Sequence, residues 1–406
     1  MSFFSWLRNT NRSRDAVRKP AAFRPRLEVL EGRDVPSTLT VTNSGDFGGG
    51  TLRDEIAAAN PGDTINFAPS LDNQTINLAN GQLSITKNLN IQGPGAGLLA
   101  IRPAPHSNVI AYPRIFDVAS NVTLSLSGLT LENGGGTELG SYYSSWGGSG
   151  WPTPSQWDDY GGAVLNFGTL TVSGCNLLNN SVLPADTGAM YGGAIYNAGT
   201  LTLTGSTLSG NSACHFSASY DAGRGGAIYN AGSASITGCT LTNNTAGYGY
   251  SFGQGGAIFN AGPLSLSGCT VSGNSASSGG GFFNRTSAGS TVTLNNDTFK
   301  SNAATTAGGA GSGLGGGLDV DYGTLTLTND TVQSNTAATA GGGLYVDYGS
   351  VTLTSDTVQS NTAATEGGGL YIASGAVVYL DAFTLANVTN NTAHKHKDID
   401  GSYQTL

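Results

Sequence analysis

Apolar and polar residues alternate along most of this chain with a period of two, in short runs such as TLTLT (200–204) and VTLT (351–354). That period belongs to strands that bury one face, and no comparable run has the spacing of a helix pair. The runs are separated by Gly-rich breaks, and the copies align on a Gly-Gly pair. They begin GGAVLN at 161, GGAIYN at 192 and 225, GGAIFN at 255, GGGFFN at 279, GGGLDV at 315, GGGLYV at 341 and GGGLYI at 367. A strand-built unit that recurs every thirty residues or so is the mark of a β-solenoid.

Stacking the units gives columns. One inward column reads Val164, Ile195, Ile228, Ile258, Phe282, Leu318, Leu344, Leu370, and a second reads Leu177, Leu208, Leu241, Val271, Phe299, Val332, Val358, Phe383. Pairs such as Leu201/Leu203, Leu264/Leu266 and Val351/Leu353 lie between them. Three short strands per unit around a shared apolar axis describe one turn of a parallel β-helix, each coil covered by the next. Asparagines mark the corners: Asn166, Asn197, Asn230, Asn260 and Asn284 after the first strand, and Asn180, Asn211, Asn244, Asn274, Asn302, Asn335 and Asn361 after the third. Asn side chains can bond to one another up a stack, and Asn tolerates the left-handed backbone of a sharp corner. These repeats are therefore read as scaffold.

Four segments frame the expected organisation: a basic leader (1–36), an N-terminal cap with irregular first coils (37–115), the repeats (116–392) and a polar C-terminal tail (393–406). TLRDEIAAANPGDTINF (51–67) predicts a short amphipathic helix with Leu52, Ile56 and Ala59 on one face, stopped by Pro61-Gly62 and followed by a strand. Such a helix would cover the open edge that every solenoid presents at its end.

Composition narrows the function. With 62 Gly and only 11% charged residues, the chain fits many strands and tight turns, and its 38% apolar content is enough for a core. Residues 1–33 carry net +5 within a total of −9, which leaves −14 for the rest. A body so acidic is not expected to bind nucleic acid. No apolar run is long enough to cross a membrane as a helix, and FFSWL (3–7) is short for a signal-peptide core. Four cysteines are too few for a disulfide framework in 406 residues.

At this point the repeats, with GGAIYN, GGAIFN and SGNSA (209–213, 272–276), resemble those of chlamydial polymorphic outer-membrane proteins and related bacterial right-handed β-helix surface proteins. NSGDFGGGTLRDEIAAANPGDTINF (43–67) resembles the N-terminal module named for a CSLREA motif, with GTLRDE in the motif's place and no cysteine. RPRLEVLEGRDVPST (24–38) is similar to the LEPR-like N-terminal segment of planctomycete exported proteins. These resemblances imply an all-β, right-handed parallel β-helix of about ten coils with a short N-terminal capping helix. They also imply an exported, extracellular or cell-surface protein, expected to be a monomer. The membrane barrel that closes polymorphic outer-membrane proteins would not fit after Ala393, so release, attachment through the N-terminus, or attachment by a feature the sequence does not display is expected.

Candidate chemistry lies in the gaps between copies. Four long gaps, 134–160, 182–191, 213–224 and 246–254, leave the same corner and should stand side by side. They carry Tyr142, Tyr143, Trp146, Trp151, Trp157, Tyr160, Tyr220, Tyr248 and Tyr250, together with Tyr191, Phe216 and Phe252. Rings on Gly/Ser-rich loops stack on sugar faces or anchor a protein partner. Alternatively, they pack on each other and on the outward column Tyr196, Tyr229 and Phe259, and so shield the coil. The first reading predicts a non-enzymatic protein for adhesion or for binding extracellular polysaccharide or a surface protein. Pectate-lyase-like lyases and glycoside hydrolases share this fold, and weak catalytic candidates exist in Asp158, Asp159, Asp186, Asp221 and Arg224, beside Glu138 and His215, without acid/base spacing. A third reading is a purely structural envelope protein.

A last column, at the end of the second strand, reads Cys175, Ser206, Cys239, Cys269, Asp297, Asp330, Asp356, Asp381. Stacked carboxylates would repel if buried, so they are expected to face water in Asx-turns that bond the backbone two residues on, or to share Ca²⁺. Cys239 and Cys269 fall on adjacent coils, within reach of a cross-link, and Cys214 is placed in a loop, unpaired. No other cofactor is expected. His394 and His396 lack a third metal ligand and read as a solvated end.

Overall fold

In the computed structural model, the described residues are 36–104, 113–136, 159–182, 189–214, 222–247, 252–287, 289–306 and 313–406. They form a parallel β-solenoid. Each coil supplies one strand to each of three sheets. A thirteen-stranded long sheet runs from Thr38–Val41 to Gln404–Thr405. An eleven-stranded second sheet runs from Leu83–Ile85 to Ile399–Asp400, and an eleven-stranded third sheet from Gln74–Leu78 to Val388–Thr389. Two-residue strands add a seven-stranded and a four-stranded ladder at the loop corner, beyond the three strands per unit that the alternation predicts.

Register follows the expected columns. Val164 pairs with Ile195, Ile195 with Ile228, Ile228 with Ile258 and Ile258 with Phe282. The series continues through Leu318, Leu344 and Leu370 to Ile399, and begins two coils earlier at Leu83, which pairs with Phe116. Because each coil is covered above and below, these side chains are fully buried, except Ile399 in the last coil, which is half-buried. The coils approach closely where the units begin: a Cβ on Gly193 would collide with the carbonyl of Gly226, and one on Gly226 with that of Gly256. That contact is why the repeat opens on glycine.

Both asparagine columns are hydrogen-bonded ladders. Nδ2 of Asn166 donates to Oδ1 of Asn197 at 2.7 Å, and the series continues through Asn230 and Asn260 to Asn284. The second ladder runs from Asn180 to Asn361, then through Asn391 to Oδ1 of Asp398. The left-handed backbone falls on the residue before each rung of this ladder, not on the rung itself: Asn179, Gly210, Asn243, Gly273, Ser301, Ser334, Ser360 and Asn390 all have positive φ. Corner and rung are thus two adjacent residues with two separate jobs.

At the N-terminal end, helix α1 (Leu52–Ala58) is capped by Thr51, whose hydroxyl accepts the Asp54 N–H. Leu52, Ile56 and Ala59 enter the core beside Val41 and Ile65, as the amphipathic pattern requires. Lys87 donates to the carbonyls of Ala57 and Ala59 and so closes the helix C-terminus.

The other end differs from expectation. A second helix, α2 (Ala382–Ala386), begins at Asp381, which caps it by accepting the Thr384 N–H. This insertion turns Phe383 outward, 52% exposed, and Val388 takes its place against Val358 in the core column. Residues 393–406 are polar but do not trail as a tail. Ile399–Asp400 pairs with Leu370–Tyr371, and Gln404–Thr405 with Tyr379–Leu380. Lys395 and His396 are held by Glu366 and Asp400.

Candidate functional site

The strands that read IYN place Ile and Asn inward, so the middle residue stands on the outer face of the second sheet. Repetition turns it into a stack of rings. Tyr196 lies 5.2 Å from Tyr229 at 3°, Tyr229 lies 5.0 Å from Phe259 at 8°, and Phe259 lies 5.2 Å from Phe283 at 15°. Parallel stacking at the coil spacing follows from the ladder itself, and each such pair adds about 0.5–1.5 kcal/mol beyond its burial.

A second file runs beside this one. The strands Asp159–Tyr160, Met190–Tyr191, Gly223–Arg224 and Gly253–Gln254 pair in parallel. They are the returning ends of the four long gaps, and the leaving ends Ser181–Val182, Ser212–Ala213 and Thr245–Ala246 pair likewise. The gaps therefore begin and end side by side, as expected. Tyr160 stacks on Tyr191 at 5.2 Å and meets the edge of Tyr196 at 4.7 Å; Tyr191 meets the edge of Tyr229 at 4.8 Å. The Arg224 guanidinium sits 5.5 Å from the Tyr191 ring and 5.6 Å from the Phe259 ring, and also bonds the Tyr191 hydroxyl and Gln254. Burial pushes the Tyr229 hydroxyl above its ordinary pKa.

Tyr160 and Arg224 are thus the described members of the predicted site. Asp159 is described by its backbone pairing alone. Tyr142, Tyr143, Trp146, Trp151, Trp157, Tyr220, Tyr248, Tyr250, Asp158, Asp186 and Asp221 lie outside the described residues, as do Glu138, His215 and Phe216. Sequence reasoning missed Arg114, which is 3% exposed. Its guanidinium donates to the carbonyls of Gly136 and Tyr160 at 2.6 and 2.7 Å, and to Gln82. Gly136 and Tyr160 flank the longest gap, so one buried cation ties both of its ends to the coil. An isolated Arg before an RIF strand carries no sequence signal of this.

Further along the same face the ring column is interrupted by Asp319, buried and hydrogen-bonded to Ser278. Burial, reinforced by Asp321 and Asp347, pushes its carboxyl well above the usual range. Beyond it Tyr345 stacks on Tyr371 at 5.0 Å, and the exposed pair Tyr322 and Tyr348 stacks at 5.4 Å.

The Cys/Ser/Asp column is a third ladder, and it is internal. The Cys175 N–H donates to Ser206, that of Ser206 to Cys239, and that of Cys239 to Cys269 Sγ at 3.4 Å. The Cys269 N–H then donates to Asp297, that of Asp297 to Asp330, and that of Asp330 to Asp356. The three carboxylates are buried instead of facing water. Their second oxygens accept N–H groups two residues back, from Asn295, Thr328 and Thr354, the reverse of the expected turn. Thr384, not Asp381, ends the column.

All four thiols are free and buried. Cys214 is enclosed rather than loop-exposed, and burial lifts its pKa to about 11. Thiols so protected react slowly. Ellman's reagent should therefore label the native protein at least roughly 100-fold more slowly than the chain in guanidinium. Rapid native labelling would place a cysteine at the surface.

The family described as right handed beta helix region matches residues 161–384, more than half of the chain. No curated protein and no solved structure matches it. Among the described residues, no helix is long and apolar enough to cross a membrane. The parallel coils, the family match and the repeated corner chemistry agree: this chain belongs to the right-handed β-helix family.

Proposed function

We propose that this chain is an exported or cell-surface β-helix that binds extracellular polysaccharide through the four gap segments, without catalysis. The observation that carries the reading is the pairing of their leaving and returning ends in register on a stack of rings. A rigid base under adjacent aromatic-rich segments lowers the entropy lost when they close on a ligand. Rings flanked by Gly and Ser suit the apolar faces of sugars. The weak carboxylate candidates lie in the same segments, and a pectate-lyase-like lyase or glycoside hydrolase would use them; Arg224, held between two rings, serves packing in the binding reading.

A structural envelope role is favoured by a different observation: Phe259 and Phe283 are buried and spent on the coil itself. The test is affinity of the full chain for a panel of acidic and neutral polysaccharides, beside Trp146/Trp151/Trp157→Ala. Binding that weakens at least roughly tenfold in the triple variant, with unchanged circular dichroism, is expected, since stacked rings dominate such contacts. No binding by the parent chain would leave the structural role.

A further inference from the structure

The long sheet carries an outer surface unlike the other two. From Thr123–Ser127 to Ser350–Thr354 its strands read TLSLS, TLTVS, TLTLT, SASIT, LSLS, TVTLN, TLTLT and SVTLT. Every outward position on them is Ser or Thr except Asn295. The pairing is residue-on-residue throughout: Thr171 on Thr202, Thr202 on Ser235, Ser235 on Ser265, Ser265 on Thr293, Thr293 on Thr326, and Thr326 on Thr352. Two flanking columns keep the same register, one broken by the exposed Pro263 and the other by Asn295, so the hydroxyls form a two-dimensional net with two gaps. Its repeats are about 4.8 Å along the axis and about 6.6 Å along each strand, set by strand spacing and by twice the rise per residue.

Strand propensity accounts for Thr on an exposed sheet. It does not account for the exclusion of everything else. The third sheet also carries Ser and Thr outward, but mixes Glu132, Leu178, Lys300, Gln333 and Gln359 among them. The second sheet puts rings and Asp319 there. Only the long sheet is free of charge and of long side chains over this span. Among the described residues, none of the Ser and Thr hydroxyls on the strands from Thr123–Ser127 to Ser350–Thr354 bonds within the protein. β-branched Thr is also stiff at χ1, so the net is held in place before any ligand arrives.

We propose that this face binds ice. An uncharged, rigid, periodic net of hydroxyls and methyls fits a ligand that is itself periodic and uncharged. The oxygen net on a prism face of hexagonal ice is likewise rectangular, with a short repeat near the coil spacing and a long repeat somewhat greater than the one along the strand. Water ordered over the hydroxyls can join that lattice by hydrogen bonds without desolvating a charge. The site is on a different sheet from the aromatic gaps and does not depend on polysaccharide binding.

The test is uptake of the full chain into slowly grown ice, with inhibition of ice recrystallisation as a second readout. Thr202→Tyr/Thr326→Tyr puts two rings in the middle column, and Thr202→Val/Thr326→Val removes the hydroxyls at constant shape should the first variant fold poorly. Thr240→Tyr/Thr298→Tyr on the third sheet is the control. We expect the parent and the control to enter ice and to slow recrystallisation, and the long-sheet variants to need at least tenfold more protein for the same effect. Exclusion of the parent from ice, or equal activity in the long-sheet variants, overturns the proposal. Retention on microcrystalline cellulose or chitin, together with exclusion from ice, overturns it too and reassigns the face to a crystalline polysaccharide.

Discussion

Replacing Asn244 with Leu should cost about 4 kcal/mol of stability, since each buried group left unpaired costs about 1–3 kcal/mol. Asn244 is fully buried. Its Oδ1 accepts both the backbone N–H and the Nδ2 of Asn211, and its own Nδ2 donates to Leu208 O and to Asn274 Oδ1. Leucine would fill the volume but strand groups in the coils above and below. Water cannot reach them, so the penalty is that of desolvation and not of an exchanged hydrogen bond. The same substitution at Asn391 should cost less, because the terminal coil can open locally. Thr240→Ala, at an exposed position, should stay within about 0.5 kcal/mol. Urea unfolding of the three variants checks this order. A change under about 1 kcal/mol at Asn244 would mean that the ladder is decorative.

How much of this was legible beforehand depended on whether a residue repeats. The inward columns and both asparagine ladders could be read because identical side chains recur in register, and a solenoid converts recurrence directly into contact. Where one copy deviates, reading failed. Phe383 follows the column by alignment, yet Asp381 starts a helix there and Val388 is the residue that packs. The segment 393–406 has the sequence of a tail because its strands are two residues long and polar, with no alternation to detect. The carboxylate column belongs at the surface if repulsion between like charges decides its place. What the sequence does not display is the supply of backbone N–H groups: each rung receives one from the preceding coil and one from two residues back. Arg114 was invisible for the opposite reason. Its partners, Gln82 apart, are backbone carbonyls, which every sequence has everywhere. The gap segments differ in kind, since nothing in them repeats, and their aromatic content points to a surface without specifying its geometry.

The carboxylate column should also make the protein more stable in mild acid than in base. Burial pushes Asp297 up to about 6, Asp356 to about 7 and Asp330 to about 8, with repulsion between Asp297, Asp330 and Asp356 adding to the rise at Asp330, while the N–H bonds pull the other way. An unfolded carboxyl titrates near 3.8. Between these values the folded chain holds protons that the unfolded chain has released, so stability must fall as pH rises. The contribution is complete below about pH 4, declines as pH rises from there, and is gone above about pH 8. Each tenfold difference in proton affinity is worth about 1.4 kcal/mol, which puts the loss across the column on the order of 3 kcal/mol or more. Asp63 and Asp381 act oppositely, held low by the N–H groups of Ser37 and Asn60 and by Thr384, and they erode stability only below about pH 4. The optimum therefore falls near pH 4. The column supplies its own control: Ser206 occupies the same rung, accepts the Cys175 N–H and donates to Thr204 O. Asp297→Ser/Asp330→Ser should keep the ladder bonded while removing the titrating groups. Unfolding midpoints measured from pH 4.5 to 9 should fall steeply for the parent and much less for this variant. Parallel profiles would show that the buried carboxylates stay ionised, stabilised by their N–H donors more strongly than burial opposes them.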